Sequence, residues 1–305
     1  MSFLVLGTVA LDNVKTPSGV KKNMLGGSAA HFSMSARLFD DVHLVGIVGK
    51  DFPKVHLDFL KRKGINASAV TISEGKTFRW TGEYKAEDLN SAITHETQLG
   101  VLADYTPVIS DQQKKFSHVF LANLAPLAQE KLLSLVNKPD FVGLDTMNLW
   151  INTALRDLKR LMKKVDLMVL NDAEARMLSG ERNLVAAARV IHAMGPKIVV
   201  VKKGEHGVYV YGGKFQFGYP AYPVAKVVDP TGAGDTFAGG LFGYIAKARK
   251  SDEKTLRKAA IYGTVLASFN VEGFGMGKTA PLSMKDVEKR LKEFQAFCAV
   301  ERTGK

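Results

Sequence analysis

Short apolar runs alternate with helix-patterned stretches along most of this chain, and that alternation limits the fold more than any single motif. Runs at 3–6, 43–48, 118–121, 141–144, 167–170, 198–201 and 208–211 read as strands. Several are apolar throughout, as expected of strands that helices cover on both faces. Helical patterns fall between them, near 28–39, 53–63, 126–136, 151–164, 173–179 and 183–194. Together they are the signature of an α/β sheet with crossover connections. The C-terminal third reads mostly as helix. Ser283 with Asp286 makes a capping-box start, after which Val287, Leu291, Phe294 and Cys298 share one face. With 305 residues, 46% of them hydrophobic, the chain can bury a sizeable core in one large domain or two. No repeat or Pro/Ser-rich linker marks a boundary.

Residues 70–106 break the alternation. They are polar and β-prone, with no helical period. Phe78, Trp80 and Tyr84 share one parity, and Thr77, Arg79, Thr81 and Glu83 the other, so a strand here has an aromatic and a polar face. Such an insertion is either a small β-lid over a site or an edge hairpin packed on the domain. Its aromatic face needs a substrate base, the main domain or a second copy of the chain to cover it.

Bulk properties exclude several function classes. The single cysteine, Cys298, rules out an internal disulfide and any multi-thiolate metal site, and suits a reducing compartment. The apolar start is broken by Gly7 and stopped by Asp12, too short to span a bilayer and without a basic leader, so a cytoplasmic location is expected. The net charge of +12 is dispersed in pairs and triplets such as Lys21-Lys22 and Lys61-Arg62-Lys63, not gathered in a basic block. No nucleic-acid reader motif accompanies it. A basic surface that attracts anionic nucleotides accounts for the charge equally well.

The most informative stretch is 229–235, Asp-Pro-Thr-Gly-Ala-Gly-Asp, followed by 236–248, which reads as an amphipathic helix. Gly232, Ala233 and Gly234 leave backbone amides bare at a helix N-terminus, where partial positive charge suits a phosphate. Asp235 puts a carboxylate beside that anion site. Either it caps a Gly-rich turn, or it activates a hydroxyl to attack the phosphate.

Three further clusters lie at strand ends. Asp12 is followed by Gly26, Gly27 and Ser28; the glycines allow close approach to a ligand and Ser28 can cap the next helix. Open α/β sheets place ligands at such ends, where a carboxylate can take polyol hydroxyl hydrogens. Asn171 and Glu174 open a helix three residues apart, as a capping pair or as the holder of a metal-bound water. Lys202, Gly204 and Gly207 form a tight turn, whose lysine touches phosphate or is simply solvated.

In that order the four clusters resemble the PfkB/ribokinase family of small-molecule kinases, from about residue 3 to about residue 298. The run 229–240, Asp-Pro-Thr-Gly-Ala-Gly-Asp-Thr-Phe-Ala-Gly-Gly, is the specific part. Walker-A and dinucleotide fingerprints are absent. The resemblance implies a ribokinase-like three-layer α/β sandwich, one kinase domain over 1–305 with a mostly parallel central sheet and a small β-lid near 12–24 and 70–106. It implies ATP-dependent phosphorylation of a primary hydroxyl, with Asp235 as general base and Gly232, Ala233 and Gly234 as anion hole. It assigns Asp12, Gly26 and Gly27 to substrate hydroxyls, and Asn171 and Glu174 to phosphate and Mg²⁺. Lys202, Gly204, Gly207, Gly263 and Thr264 fall to the nucleotide side, and Asp229 and Thr231 to a monovalent cation such as K⁺.

Departures from the family pattern bear on substrate. His31 stands where an Asn is common, and Ser28 where many sugar kinases carry Lys. His31 lines the pocket or belongs to the core with Phe32 and Met34. Asn123 and the segment 145–150 lie at further strand ends, with Trp150 near an expected Arg; losing that cation argues against a phosphorylated sugar. Lys202 replaces a frequent Thr and adds charge. The leading expectation is a sugar kinase acting on a hydroxymethyl group. A nucleoside kinase follows, because Phe78, Trp80 and Trp150 can stack on a base at ~1–3 kcal/mol. A non-catalytic binder on the same fold and a nucleic-acid binder come behind. An aromatic lid face also suggests a lid-to-lid homodimer.

Overall fold

Neighbouring residues of a strand point to opposite faces, and the first strand serves two cores at once. In β1 (Ser2–Leu6) Phe3 and Val5 join one apolar cluster, while Leu4 and Leu6 join another. The computed structural model describes residues 2–299. After β1 come β2 (Ala10–Thr16), β3 (Gly19–Gly26), α1 (Ser28–Ala36), β4 (Asp41–Gly49), α2 (Lys54–Arg62), β5 (Asn66–Ser73), β6 (Arg79–Lys85) and β7 (Asp88–Gln98). The middle holds β8 (His118–Leu121), α3 (Pro126–Leu135), β9 (Phe141–Asp145), α4 (Asn148–Thr153), α5 (Leu155–Met162), β10 (Leu167–Asn171), α6 (Asp172–Ser179) and α7 (Leu184–Ala193). The chain closes with β11 (Ile198–Lys202), β12 (Val208–Tyr211), β13 (Gln216–Tyr219), α8 (Ala233–Ala248), α9 (Glu253–Asn270) and α10 (Met284–Phe297).

The main sheet has nine strands in the order β13-β12-β11-β10-β9-β8-β1-β4-β5. It is parallel from β11 to β5, with β12 and β13 antiparallel at one edge. Helices α1, α2, α8 and α9 cover one face and α3 to α7 the other, which makes three layers. Strand order reverses at β1, flanked by β4 and β8. Open α/β sheets bind ligands beyond the carboxyl ends of strands at such a reversal. Here β2, β3, β6 and β7 form a separate four-stranded sheet in the order β3-β2-β6-β7.

Several boundaries differ from the sequence reading. Residues 70–73 belong to β5, paired with β4 in the main sheet, so the small sheet takes only 79–98 of that region together with 10–26. The helix expected over 151–164 divides at Ala154, whose φ of −136° is not helical. Helix α8 starts at Ala233, three residues early, because its glycines pack rather than loosen it. A Cβ on Gly239 would collide with the Phe32 carbonyl of α1.

Candidate active site

The early start of α8 puts Asp235 inside the first helical turn, and the N-cap is Gly232, with no side-chain cap bond. The capping role for Asp235 is thereby excluded. Gly232 has φ +73°, and a Cβ on it would strike the His31 ring. Only glycine fits that position without strain. Ala233 donates its N–H to Pro230 O at 3.1 Å and is thus engaged within the turn. Burial first, and then Asp145, push the half-buried Asp235 up to about 7, against the pull of Lys202.

Three neighbouring strand ends supply the charges beneath this turn. Asp145 ends β9, Asn171 ends β10 and Lys202 ends β11. Lys202 Nζ pairs with Asp145 Oδ2 at 3.0 Å, both side chains being largely buried. The solvated reading of Lys202 fails: its side chain lies largely buried under Gly234. Asn171 and Glu174 form a reciprocal capping box: Asn171 Oδ1 accepts from Glu174 N, and Glu174 Oε2 from Asn171 N, both at 2.8 Å. One Glu174 oxygen remains for other work. Burial raises Glu174 to about 7, with Lys202 opposing and Asp145 adding to the rise.

Across from these, Asp12 lies within β2, not beyond a strand end, and is 5% exposed. Its carboxylate crosses Gly26, where a Cβ would overlap Oδ2, and Gly27 (φ +95°) gives it a backbone N–H. Burial raises Asp12 to about 7; the Gly27 amide opposes this, and Asp229 and Asp235 add to it. His31 is 2% exposed, its ring under Gly232, its Nδ1 without a partner among the described residues. Burial lowers its pKa, against Asp229 and a hydrogen bond with Asn270. It therefore buttresses the anion turn from below. Asp229 is fully buried and accepts from Thr231 N at 2.9 Å and Gly275 N at 3.0 Å; the Thr231 hydroxyl is buried, with the Tyr84 phenol beside it.

Asn123 does not present a free amide. Its Oδ1 accepts from Trp150 Nε1 at 2.9 Å and its Nδ2 meets Met147 Sδ at 3.1 Å, so it fixes a half-buried indole. After β11, Gly204 (φ +55°) and Gly207 (φ +85°) shape a turn that the small sheet touches: Asn90 Nδ2 donates to Glu205 Oε1 at 2.9 Å. Gly263 and Thr264 depart from expectation. Both are buried, Gly263 against Phe237 and Gly240 where α9 meets α8, and Thr264 bonds back to Ala260 O. They pack helices and offer a nucleotide no open polar group.

Two site residues escaped the sequence reading of the site. Asp145 was seen only as part of a strand end. Tyr84, seen only as one of three aromatics, carries its phenol from β6 to the neighbourhood of Thr231. Burial raises its pKa, with Thr231 opposing and Asp229, Asp12 and Asp235 reinforcing. The other aromatics go elsewhere: Phe78 packs on the main core, and Trp80 lies over Gly82 with Nε1 bonded to Thr94.

The pfkB family carbohydrate kinase model matches residues 4–282. The chain is 33% identical over 261 residues to a cytidine kinase of Thermococcus kodakarensis, spanning 83% of this chain and 91% of that one. A nucleoside kinase structure from Methanocaldococcus jannaschii superposes with TM-score 0.76 at 20% identity, over 96% of this chain and 98% of that one. A putative ribokinase II from E. coli in complex with ATP and Mg²⁺ gives 0.79 at 19% identity, over 96% and 99%. The fold is thus that of the ribokinases. The chain belongs to the pfkB family of carbohydrate kinases. It is an ATP-dependent phosphotransferase acting on an alcohol group. No described helix is long and apolar enough to cross a membrane.

Proposed function

We propose that this kinase phosphorylates the hydroxymethyl group of a nucleoside. The observation that carries the nucleoside reading is the indole of Trp150, held by Asn123 at 2.9 Å at the substrate strand ends. A fixed flat wall favours a base by ~1–3 kcal/mol. The relative named cytidine kinase supports the same reading. A free sugar is the second reading, favoured by Asp12 across Gly26, which serves any polyol.

Asp12 accepts the sugar hydroxyls and Asp235 takes the proton of the attacking hydroxyl. The hydroxyl oxygen bonds to the γ-phosphorus, the bond to the ADP oxygen breaks, and ADP leaves. Charge on the transferring oxygens is met by the Gly232 and Gly234 amides at the positive end of α8. The Gly204 and Gly207 turn receives the nucleotide.

Among the described residues no group of three or more acidic, His or Cys side chains is set to hold a metal by itself. The fit for Mg²⁺ is the Glu174 oxygen outside the capping box, acting through water beside Asn171. Magnesium supplies charge neutralisation when bound with ATP. The buried Asp229 carboxylate and the buried Thr231 hydroxyl suit a K⁺ ion. A homodimer through the small sheet would cover β7, which is exposed along nearly all its length; solution mass tests it.

The substrate reading is tested by ADP release with Mg-ATP over cytidine, other nucleosides, ribose and hexoses. Turnover on nucleosides at a kcat/KM at least about tenfold above any free sugar is expected. Turnover on free sugars alone would overturn it.

A further inference from the structure

Strands β9, β10 and β11 are adjacent, and their register sets Asp145 beside Val169 and Asn171 beside Lys202. Asp145 and Lys202 therefore meet across the end of β10. Asp145 is doubly held, since its other oxygen accepts Thr146 N at 2.8 Å. The lysine stem runs along Gly234: a Cβ there would stand 3.1 Å from Nζ, 3.6 Å from Cε and 3.7 Å from Cδ. The bare glycine is what lets the ammonium lie against the first turn of α8.

That position is electrostatically odd. The N-terminal end of a helix carries partial positive charge and disfavours a cation beside it. A largely buried ammonium, its side chain 17% exposed, also has donors that favour partners. It has three, and among the described residues its hydrogen bonding is to Asp145 alone. A purely structural partner for Asp145 has no need to lie at the positive end of α8. An anion received between the ammonium and the helix turn explains both the placement and the spare donors.

We propose that Lys202 is a side-chain arm of the phosphoryl site: Asp145 holds the ammonium against Gly234, where it takes up charge on the phosphoryl group passing from ATP to the acceptor. This rests on the kinase activity and not on the choice between sugar and nucleoside. Burial works against the ammonium, but Asp145, Glu174 and Asp235 outweigh it and keep Lys202 charged. Its charge also eases proton loss from Asp235, so one residue serves the base and the phosphate together.

The test is calorimetric titration of ATP and of ADP into the wild type, Lys202→Met and Lys202→Arg, with kcat and acceptor KM beside it. Lys202→Met is expected to weaken ATP at least about tenfold more than ADP, because only ATP carries the γ-phosphate. It should lower kcat by ~10²–10³ with acceptor KM within about threefold. Lys202→Arg should recover part of both. Equal weakening of ATP and ADP, or a kcat within about threefold of wild type, overturns the proposal. The nucleotide titrations need no acceptor, so they stand even where the substrate reading fails. If Lys202→Met does not fold, Lys202→Gln carries the same two readouts.

Discussion

The phosphoryl side of the site and the small four-stranded sheet meet around Thr231, yet they are built by different means. On the phosphoryl side Asp145 and Lys202 end β9 and β11, and Glu174 follows the end of β10 in α6, each largely buried and tied by short hydrogen bonds. The small sheet differs: its outer strand β7 is exposed along nearly all its length, while β2, β3 and β6 are held by Leu11 and Leu25 in the main core and by Arg79 paired with Asp51 at 3.1 Å. Thr16 Oγ1 bonds Val228 O at 2.8 Å, Asn90 reaches Glu205, and Tyr84 approaches Thr231. A rigid charged floor suits a reaction whose demand is positioning. A cover with an exposed outer strand suits a part that moves more freely than the floor.

If this contrast is right, damage to the floor should cost rate and damage to the cover should cost affinity. Of the changes that set floor against cover, the largest effect is expected from Gly232→Ala, which places a side chain at φ +73° against the His31 ring. Steady-state assay should give kcat lower by ~10² or more, with a lower melting temperature from strain of ~1–3 kcal/mol. A normal kcat would remove Gly232 from the anion site. Next comes Tyr84→Phe, which keeps the ring and removes one hydroxyl. Acceptor KM should rise about fivefold, the equivalent of one ordinary hydrogen bond, with kcat nearly unchanged. A fall in kcat alone would place Tyr84 with the floor.

The smallest effect is on stability against pH. Asp12, Glu174 and Asp235 are raised to about 7 in the folded state, above the ~4 of unfolded carboxylates. The native state then binds more protons than the unfolded state between pH 4 and 7, so stability falls as pH rises through that window. Melting of the nucleotide-free protein should shift down by a few degrees from pH 5 to pH 8, and less so in Asp12→Asn. An upward shift that Asp12→Asn leaves unchanged would contradict the burial of these acids.

How far the site was legible follows from the range of each interaction. The turn at 229–235 could be read because its chemistry lies in consecutive residues, and continuous apolar runs announced the parallel sheet. The Asp145–Lys202 pair could not, since it depends on β9 and β11 flanking β10, a fact of topology. Parity gave Tyr84 an aromatic face but not a direction: of its two companions, Phe78 turns to the core and Trp80 onto Gly82. Gly263 and Thr264, given to the nucleotide side by the resemblance alone, carry no local signal that separates ligand contact from the close helix crossing they make. The α8 boundary slipped because Gly-Ala-Gly has poor helix propensity, which packing against α1 and α9 overrides.

The central claim is that Asp235 removes the proton of the acceptor hydroxyl in phosphoryl transfer. The most direct measurement is the single-turnover rate of Asp235→Asn with ATP and the best acceptor, beside its ATP dissociation constant. The account predicts a rate lower by ~10²–10⁴ with ATP binding within about threefold of wild type. A rate equal to wild type with ATP bound would contradict it.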